Sequence, residues 1–167
     1  GRFLSGGYCK LGMALSESIS AADITSGRCF DLGWLQQHES MKLSNRFKLG
    51  AGPVRARLLD AITTAKATFN NCNSSAWKED LLAINGYDER MKYGGPDREL
   101  GERLENHGVR GKQVRHRAVC LHLDHARGYK TTESVQANLA IRAETRSRKT
   151  VWTPHGIKKA KEPPSDS

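Results

Sequence analysis

The sequence has no long apolar run: no segment approaches the roughly 20 residues that a membrane-spanning helix needs. It also has no Cys-x-x-Cys pair, and its first residues carry no signal-peptide pattern. Widely spaced cysteines argue against a zinc ribbon and indicate free thiols in a reducing compartment. The four cysteines are Cys9, Cys29, Cys72 and Cys120. We therefore expect a cytoplasmic protein.

Acidic residues are fewer than basic ones. The 167 residues include 18 Asp and Glu against 27 Lys and Arg, a net charge of +9 at pH 7, which indicates anionic partners. Aromatic residues are also few, at 7%, and they form no pattern with basic residues that is typical of a nucleic-acid module. We expect no nucleic-acid partner. Diphosphates, acidic glycans and peripheral contact with the anionic inner face of a membrane are all compatible with this charge.

Length and hydrophobic periodicity predict one domain that contains both helices and strands. The predicted helices cover residues 31–40, 58–62, 78–84, 97–106 and 132–148, and the predicted strands cover residues 67–70 and 112–123. We predict a strand or loop at 1–20, a turn at 20–27, a connecting loop at 41–57 and a disordered basic tail at 158–167. In the last helix, Thr132 is the predicted cap, and Val135, Leu139 and Arg142 or Ala143 share a face.

A glycine-rich loop precedes one of these helices. The adjacent Gly94 and Gly95 allow a positive φ, and Pro96 suits the first helical turn. Asp97 then lies at the helix N-terminus, where the helix dipole and free N–H groups favour its ionised form. Such a carboxylate beside an open loop suits a general base, but it equally suits a simple helix cap. Gly108 is the predicted stop of this helix.

Two neighbouring phrases stand out from the rest of the sequence. Ser75–Glu89 reads Ser-Ala-Trp-Lys-Glu-Asp-Leu-Leu-Ala-Ile-Asn-Gly-Tyr-Asp-Glu, and Tyr93–Leu100 reads Tyr-Gly-Gly-Pro-Asp-Arg-Glu-Leu. They resemble the phrases Ser-x-Trp-Lys-Glu-Asp-Leu-Leu-x-x-Asn-Gly-Phe-Asp-Glu and Trp-Gly-Gly-Glu-Asp-x-Glu-Leu. Those phrases are typical of the acceptor-side, C-terminal half of family 2 glycosyltransferases and of the related galactosyltransferases. The resemblance extends over residues 71–125.

The resemblance implies a fold and a reaction. The fold would be α/β with a mixed sheet, in which residues 1–157 form the C-terminal part of a GT-A type nucleotide-sugar transferase domain. The reaction would be inverting, metal-dependent transfer of a sugar from a nucleotide-sugar donor, a UDP-sugar, to a glycan or polysaccharide acceptor. Asp97 would be the general base. A non-catalytic carbohydrate-binding fragment is the alternative, and a basic nucleic-acid binder is a third interpretation.

The resemblance also implies residues that bind the substrate. Trp77 and Tyr93 would offer apolar faces to a sugar ring, although Trp77 could instead anchor its helix to the core. Arg98 and Glu99 would bind acceptor hydroxyls, unless they are solvated helix residues; Glu99 can also pair with Arg103 at i,i+4. Gly94 and Gly95 would admit the acceptor. The loop from Trp152 to Gly156 resembles a late segment of bacterial relatives that could close over donor phosphates.

A metal site is implied at the end of the strand 112–123. His122 matches the histidine that completes the metal site of the enzymes that the chain resembles, and His125 is the second candidate ligand. Imidazole nitrogens suit Mn²⁺ or a similar divalent cation such as Mg²⁺. Scattered histidines also serve structural roles, which is the competing interpretation.

The sequence departs from the family pattern at three points. Pro96 replaces a glutamate, which removes one acceptor-binding carboxylate. The Gln-x-x-Arg-Trp signature of processive relatives is absent, which favours transfer of a single sugar. No Asp-x-Asp occurs anywhere in the chain, although this motif normally supplies a metal ligand from the nucleotide-binding half. We therefore expect a fragment that is completed by the upstream half of the same domain.

Overall fold

The computed structural model of the protein describes residues 1–126 and 131–159. Across these ranges it contains a three-stranded sheet in the order β2-β1-β3, formed by β1 (Arg2–Lys10), β2 (Ser74–Ser75) and β3 (Arg110–His122). The pair β1–β3 is parallel and the pair β1–β2 is antiparallel. The predicted α/β class with a mixed sheet is thus confirmed.

The helices surround this sheet. The described residues form α1 (Met13–Ser18), α2 (Ala21–Thr25), a short 3-10 helix (Arg28–Phe30), α3 (Leu32–His38), α4 (Leu43–Leu49), α5 (Pro53–Ile62), α6 (Lys78–Ala83), α7 (Pro96–Asn106) and α8 (Thr132–Ser147). The predictions at 31–40, 58–62, 78–84, 97–106 and 132–148 are confirmed as helices. The cap of α8 is Thr131 rather than Thr132, because the Thr131 side chain accepts the N–H of Ser134.

Three other predictions of secondary structure were wrong. Residues 41–57 contain α4 and the first half of α5. Pro53 can begin α5 because the missing N–H of proline costs nothing at the first helical position. The turn predicted at 20–27 contains α2, which Ser20 and Asp23 cap reciprocally. Residues 67–70 form no strand; there Phe69 packs edge-on against Phe3 at 5.7 Å between ring centroids.

Two helix ends were predicted correctly from glycine and asparagine. α6 is followed by Asn85 and Gly86 with φ of 68° and 70°, and Gly108 follows α7 with φ of 86°. The N–H of Val109 then returns to the carbonyl of Leu104 at 2.9 Å, which closes the end of α7. These positive φ values explain why the sequence has glycine or asparagine there.

The core has two parts. The first joins the start of β1 to α6 and α7 through Phe3, Phe69, Ile84, Leu100, Leu104 and Val109. The second joins the end of β1 to α1 and α3 through Cys9, Leu11, Leu15 and Leu35. Burial of these side chains is the main force that holds the helices against the sheet.

The chain after α8 returns to the end of the first signature phrase. Within the predicted tail 158–167, the N–H of Lys158 donates to Asn85 Oδ1 at 2.8 Å, whereas residues 160–167 lie outside the described residues. None of the helices in the described ranges combines the length and apolar character that spanning a bilayer would require.

Candidate active site

A cavity of about 1110 Å³ opens beside the sheet. Its walls are the middle and end of β1, α4, the turn at residues 70–72, the loop at residues 92–97 and parts of β3. Its volume is slightly larger than the roughly 300–1,000 Å³ of most ligand pockets.

The glycine loop, defined as residues 92–97, forms one wall. Gly94 and Gly95 have φ of 111° and 101°, and Gly95 is the residue that precedes the first turn of α7. Pro96 begins the helix, as predicted. A Cβ on Gly94 would meet Val135 of α8 at 3.2 Å. Glycine is therefore required twice, for its backbone angle and for the close approach of α8.

α8 holds the glycine loop by an amide side chain. The Nδ2 group of Asn138 donates to the carbonyls of Lys92, Tyr93 and Gly94 at 3.3, 2.9 and 3.2 Å. Asn138 is buried, whereas Leu139 is half exposed. Of the residues predicted to share a face, Val135 and Arg142 approach the glycine loop, whereas Leu139 is exposed and the buried position beside it is the polar Asn138.

Asp97 lies in the first turn of α7 and lines the cavity. Its Oδ1 accepts the N–H of Arg98 at 2.8 Å, and its Oδ2 accepts the N–H of Asn71 at 3.1 Å. The side chain of Asn71 is held in turn by the hydroxyl of Tyr87, which donates to Asn71 Oδ1 at 2.5 Å. Burial, and then the charge of Asp97, raise the pKa of Tyr87, so this phenol remains a donor.

Four of the predicted substrate-binding residues line the cavity: Tyr93, Gly94, Gly95 and Arg98. Trp77 does not. It precedes α6 with 70% of its surface exposed, which excludes the core-anchor interpretation and leaves it outside the lining of this cavity.

The structure corrects the placement of Glu99. This carboxylate is buried and accepts Nε of Arg103 at 2.8 Å and the hydroxyl of Thr145 at 2.9 Å. Arg103 is fully buried and also donates to the carbonyls of Ile84 and Gly86 at 2.5 and 2.6 Å. The predicted i,i+4 pair of Glu99 and Arg103 is thus present. Through Arg103 it also links α7 to the carbonyls that follow α6. A carboxylate that is already bonded in this way is not presented to an acceptor hydroxyl.

The turn at residues 85–89, which we name the NG turn, binds the chain that follows α8. Asn85 Nδ2 donates to the carbonyls of Thr153 and Lys158 at 2.7 and 2.8 Å. Asp88 Oδ2 accepts the hydroxyl of Thr153 at 2.8 Å. The loop from Trp152 to Gly156 therefore packs against the NG turn and is not part of the cavity lining, contrary to the suggestion that it closes over donor phosphates.

Both histidines proposed as metal ligands line the cavity, with ring centroids 6.0 Å apart. Nδ1 of His125 is 3.0 Å from the carbonyl of Ala126, and a carbonyl only accepts, so the neutral ring carries its lone pair on Nε2. Imidazole is a suitable donor for a divalent cation. Among residues 1–126 and 131–159, however, no three His, Cys, Asp or Glu side chains are grouped so that they could hold a metal ion.

Three residues of this region were not predicted. Lys48 and Arg115 line the cavity, and Asn138 supports the glycine loop. Lys48 was missed because its helix was interpreted as a loop. Asn138 could have been found from its spacing, since it lies three residues after Val135 and four before Arg142 on one helical face. No sequence signal identifies Arg115.

One comparison with known proteins gives a match. Residues 60–126 match the family model described as the N-terminal domain of galactosyltransferase. The matched segment runs from α5 through the NG turn, the glycine loop, α7 and β3, and so includes Asp97 and both histidines. No curated protein and no solved structure matches the chain. The match supports a glycosyltransferase domain with sugar transfer as its function.

Proposed function

We propose that this chain forms the acceptor-side, C-terminal part of a GT-A type glycosyltransferase related to family 2. It would transfer one sugar, with inversion, from a UDP-sugar to a glycan or polysaccharide acceptor. The observation that carries the proposal is the position of Asp97. Its carboxylate lines a large cavity at the start of α7, within the segment that matches the galactosyltransferase domain.

Asp97 has the environment that a general base needs. Each carboxylate oxygen accepts one backbone N–H, so the group is oriented while further lone pairs stay available for an acceptor hydroxyl. The start of α7 favours the negative charge. In the reaction, the acceptor hydroxyl gives its proton to Asp97 as its oxygen attacks the anomeric carbon, and the bond from that carbon to the nucleotide diphosphate breaks.

The glycine loop supports the proposal by its shape. Gly94 and Gly95 present backbone without side chains next to Asp97, so an acceptor can approach the base closely. Tyr93 offers an aromatic face and Arg98 offers a cationic hydrogen-bond donor at the same wall.

The proposal includes a divalent cation, Mn²⁺ or Mg²⁺, for which His122 and His125 are the candidate ligands. The described residues group no third His, Cys, Asp or Glu side chain with them, and we propose that an upstream half of the same domain supplies further ligands. When bound, such a cation supplies Lewis-acid stabilisation of the departing diphosphate. We further propose a cytoplasmic enzyme in peripheral contact with the inner membrane face, a contact that the net charge of +9 supports.

The test is the change Asp97→Asn in the full-length protein, measured as release of UDP from UDP-sugars in the presence of glycan acceptors. We expect kcat to fall by roughly 10²- to 10⁴-fold while UDP affinity stays unchanged. Glu133→Gln is the matched control, because it removes an exposed helix-N-terminal carboxylate away from the cavity. Retained turnover in the Asp97 variant would remove this residue from its role.

A non-catalytic carbohydrate-binding fragment is the second candidate, favoured by Pro96 in place of a glutamate. Glycan binding that is independent of nucleotide and metal, without turnover in the full-length protein, would support it over the enzyme.

A further inference from the structure

A four-residue bulge interrupts the pairing of the two parallel strands. β1 and β3 pair in register up to Gly6 with Val114, and the next pair is Gly7 with Val119. Residues 115–118 therefore project from β3 without partners on β1. A bulge often redirects a side chain of the strand that carries it. The contacts that hold this bulge therefore show which side chain it directs.

Asp60 of α5 holds the outer side of the bulge. Its Oδ1 accepts both the backbone N–H and Nδ1 of His116 at 2.9 Å, and its Oδ2 accepts Nε of Arg117 at 2.9 Å. Burial alone would raise the pKa of Asp60, but the hydrogen bonds from Arg117 and His116 outweigh it and lower the pKa. The bulge is thus anchored to a helix by an ionised carboxylate.

The inner side of the bulge fits only against glycine. A Cβ on Gly7 would lie 2.1 Å from the carbonyl oxygen of Arg115, which is impossible without movement of the backbone. Asn73 fastens the same side, because its Nδ2 donates to the carbonyls of Gly7 and Ala118 at 2.7 and 2.9 Å. Residues on both sides therefore fix the position from which Arg115 extends.

The bulge places Arg115 in the wall of the cavity that Lys48 also lines. Nε of Arg115 is buried and has no acceptor among the described residues. Nζ of Lys48 donates to the carbonyl of Tyr8 at 2.9 Å and to Asn45 Oδ1 at 3.1 Å, which are both neutral. Burial, and then the charge of Arg115, lower the pKa of Lys48. Two cations whose charges disfavour each other therefore line the same cavity.

Two other cations of the same cavity are compensated by carboxylates. Lys10 pairs with Asp124 at 2.9 Å, and Lys66 pairs with Glu105 at 3.3 Å. Within residues 1–126 and 131–159, no carboxylate forms an ion pair with Lys48 or Arg115. A substrate anion would reduce the repulsion between the two cations, and it would accept a hydrogen bond from the guanidinium of Arg115.

We propose that Lys48 and Arg115 bind a phosphoryl group of a substrate. A guanidinium presents paired donors that match phosphate oxygens, and an ammonium adds a point charge. The subsite lies on the His122 side of the cavity: Nζ of Lys48 is 5.9 Å from the Tyr8 ring centroid, which is 6.2 Å from that of His122. The assignment of this subsite to a substrate rests on the proposed function. The phosphoryl group then belongs either to the donor diphosphate or to a phosphorylated acceptor.

Calorimetric titration of the full-length protein with inorganic pyrophosphate tests the subsite without any activity assay. We expect Lys48→Met and Arg115→Met each to weaken pyrophosphate binding by about tenfold or more, since each removes a charge-assisted contact. Lys42→Met is the matched control, because Lys42 is an exposed lysine of the same cavity, and we expect a change of less than about threefold there. Arg115→Lys, which retains the charge but loses the paired donors, should lie between these results.

Circular dichroism and urea unfolding show whether each variant is folded. If Arg115→Met does not fold, Arg115→Lys replaces it as the test of Arg115. Equal pyrophosphate affinity in wild type and all folded variants, or no saturable binding by wild type, would overturn the proposal. Competition by UDP would assign the phosphoryl group to the donor, and competition by a sugar 6-phosphate would assign it to the acceptor. If neither competes, the site binds free inorganic anion only, and the substrate assignment fails. None of these results depends on turnover, so failure of Asp97 as a base would be seen separately.

Discussion

The NG turn and the glycine loop are neighbours in the chain, and both belong to the signature that resembles glycosyltransferases. Their polar groups are used differently. Asn85 and Asp88 are buried and bonded to the chain that follows α8, and Arg103 binds the carbonyl of Gly86. In the glycine loop, Asp97 is half-buried and faces the cavity.

This difference shows that one continuous motif can combine two roles. The NG turn joins α6 to the C-terminal segment, and its side chains have their partners within the fold. Asn138 holds the glycine loop through its backbone carbonyls, and the Asp97 carboxylate, which accepts only backbone N–H groups, lies at the cavity wall. Structural residues of the signature thus differ from candidate site residues in one respect: their polar side chains are buried and hydrogen-bonded to other parts of the protein.

The largest expected effect is on the buried ion pair that supports the NG turn. Arg103→Met would leave the Glu99 carboxylate buried without its partner, and it would also leave two carbonyls unpaired. We expect the free energy of unfolding to fall by about 3–5 kcal/mol, measured by urea denaturation.

Arg148→Met is the control for this change. Arg148 and Glu144 also pair at i,i+4, but both side chains are largely exposed, so we expect a loss of about 0.5 kcal/mol or less. Similar losses in the two variants would mean that the Arg103 pair is not buried as described.

An intermediate effect is expected at Asp88, and it depends on pH. Burial would raise the pKa of this carboxyl, but hydrogen bonds from Arg90 and Thr153 prevail and lower the pKa to about 2, from 3.8. Because the folded pKa is below the unfolded one, the stabilisation is present above about pH 4. It is lost as the pH falls towards 2, and it amounts to roughly 2 kcal/mol.

Asp88→Asn should therefore flatten the pH dependence of the unfolding free energy between pH 5 and about pH 2. Thr153→Val retains the carboxylate but removes one hydrogen bond to it, so it should flatten the curve only in part. An Asp88→Asn variant whose stability falls with acid as steeply as that of wild type would contradict the assigned contacts.

The smallest effect is expected where α8 supports the glycine loop. Asn138→Ala removes the amide that binds the loop carbonyls, and we expect a loss of about 1–2 kcal/mol. Amide hydrogen exchange within residues 92–97 should become faster, because the loop loses its main attachment. Leu139→Ala, at the neighbouring half-exposed position, should cost less than about 1 kcal/mol. The reverse order of these two losses would show that Leu139, rather than Asn138, contributes more to the packing of α8.

Much of the fold could be predicted from local chemistry. Helix ends at Asn85, Gly86 and Gly108 were predicted because a positive φ restricts the residues that can occupy those positions. The strand β3 and the long helices were predicted from periodicity. α4 and the first half of α5 were not, because their exposed faces are basic and Pro53 resembled a loop residue, although it begins a helix.

The candidate site could be predicted only in part. Asp97, the glycines and both histidines were identified from a motif, and the structure places them around one cavity. Glu99 was misassigned, since the sequence does not show whether a helical carboxylate faces solvent or the buried Arg103. The buried positions of α8 were not identified because they are polar, whereas periodicity locates only apolar faces.

By itself, the sequence determined the class of fold, the turn positions and a glycosyltransferase-like signature, since these depend on backbone preferences and residue order within short segments. Only the tertiary structure decided which signature residues are bonded within the protein and which face the cavity. It alone also brought Lys48 together with Arg115, which are 67 residues apart, through a bulge that Asp60, Gly7 and Asn73 hold in place. The reason is physical: burial and charge compensation depend on neighbours that are distant in the chain.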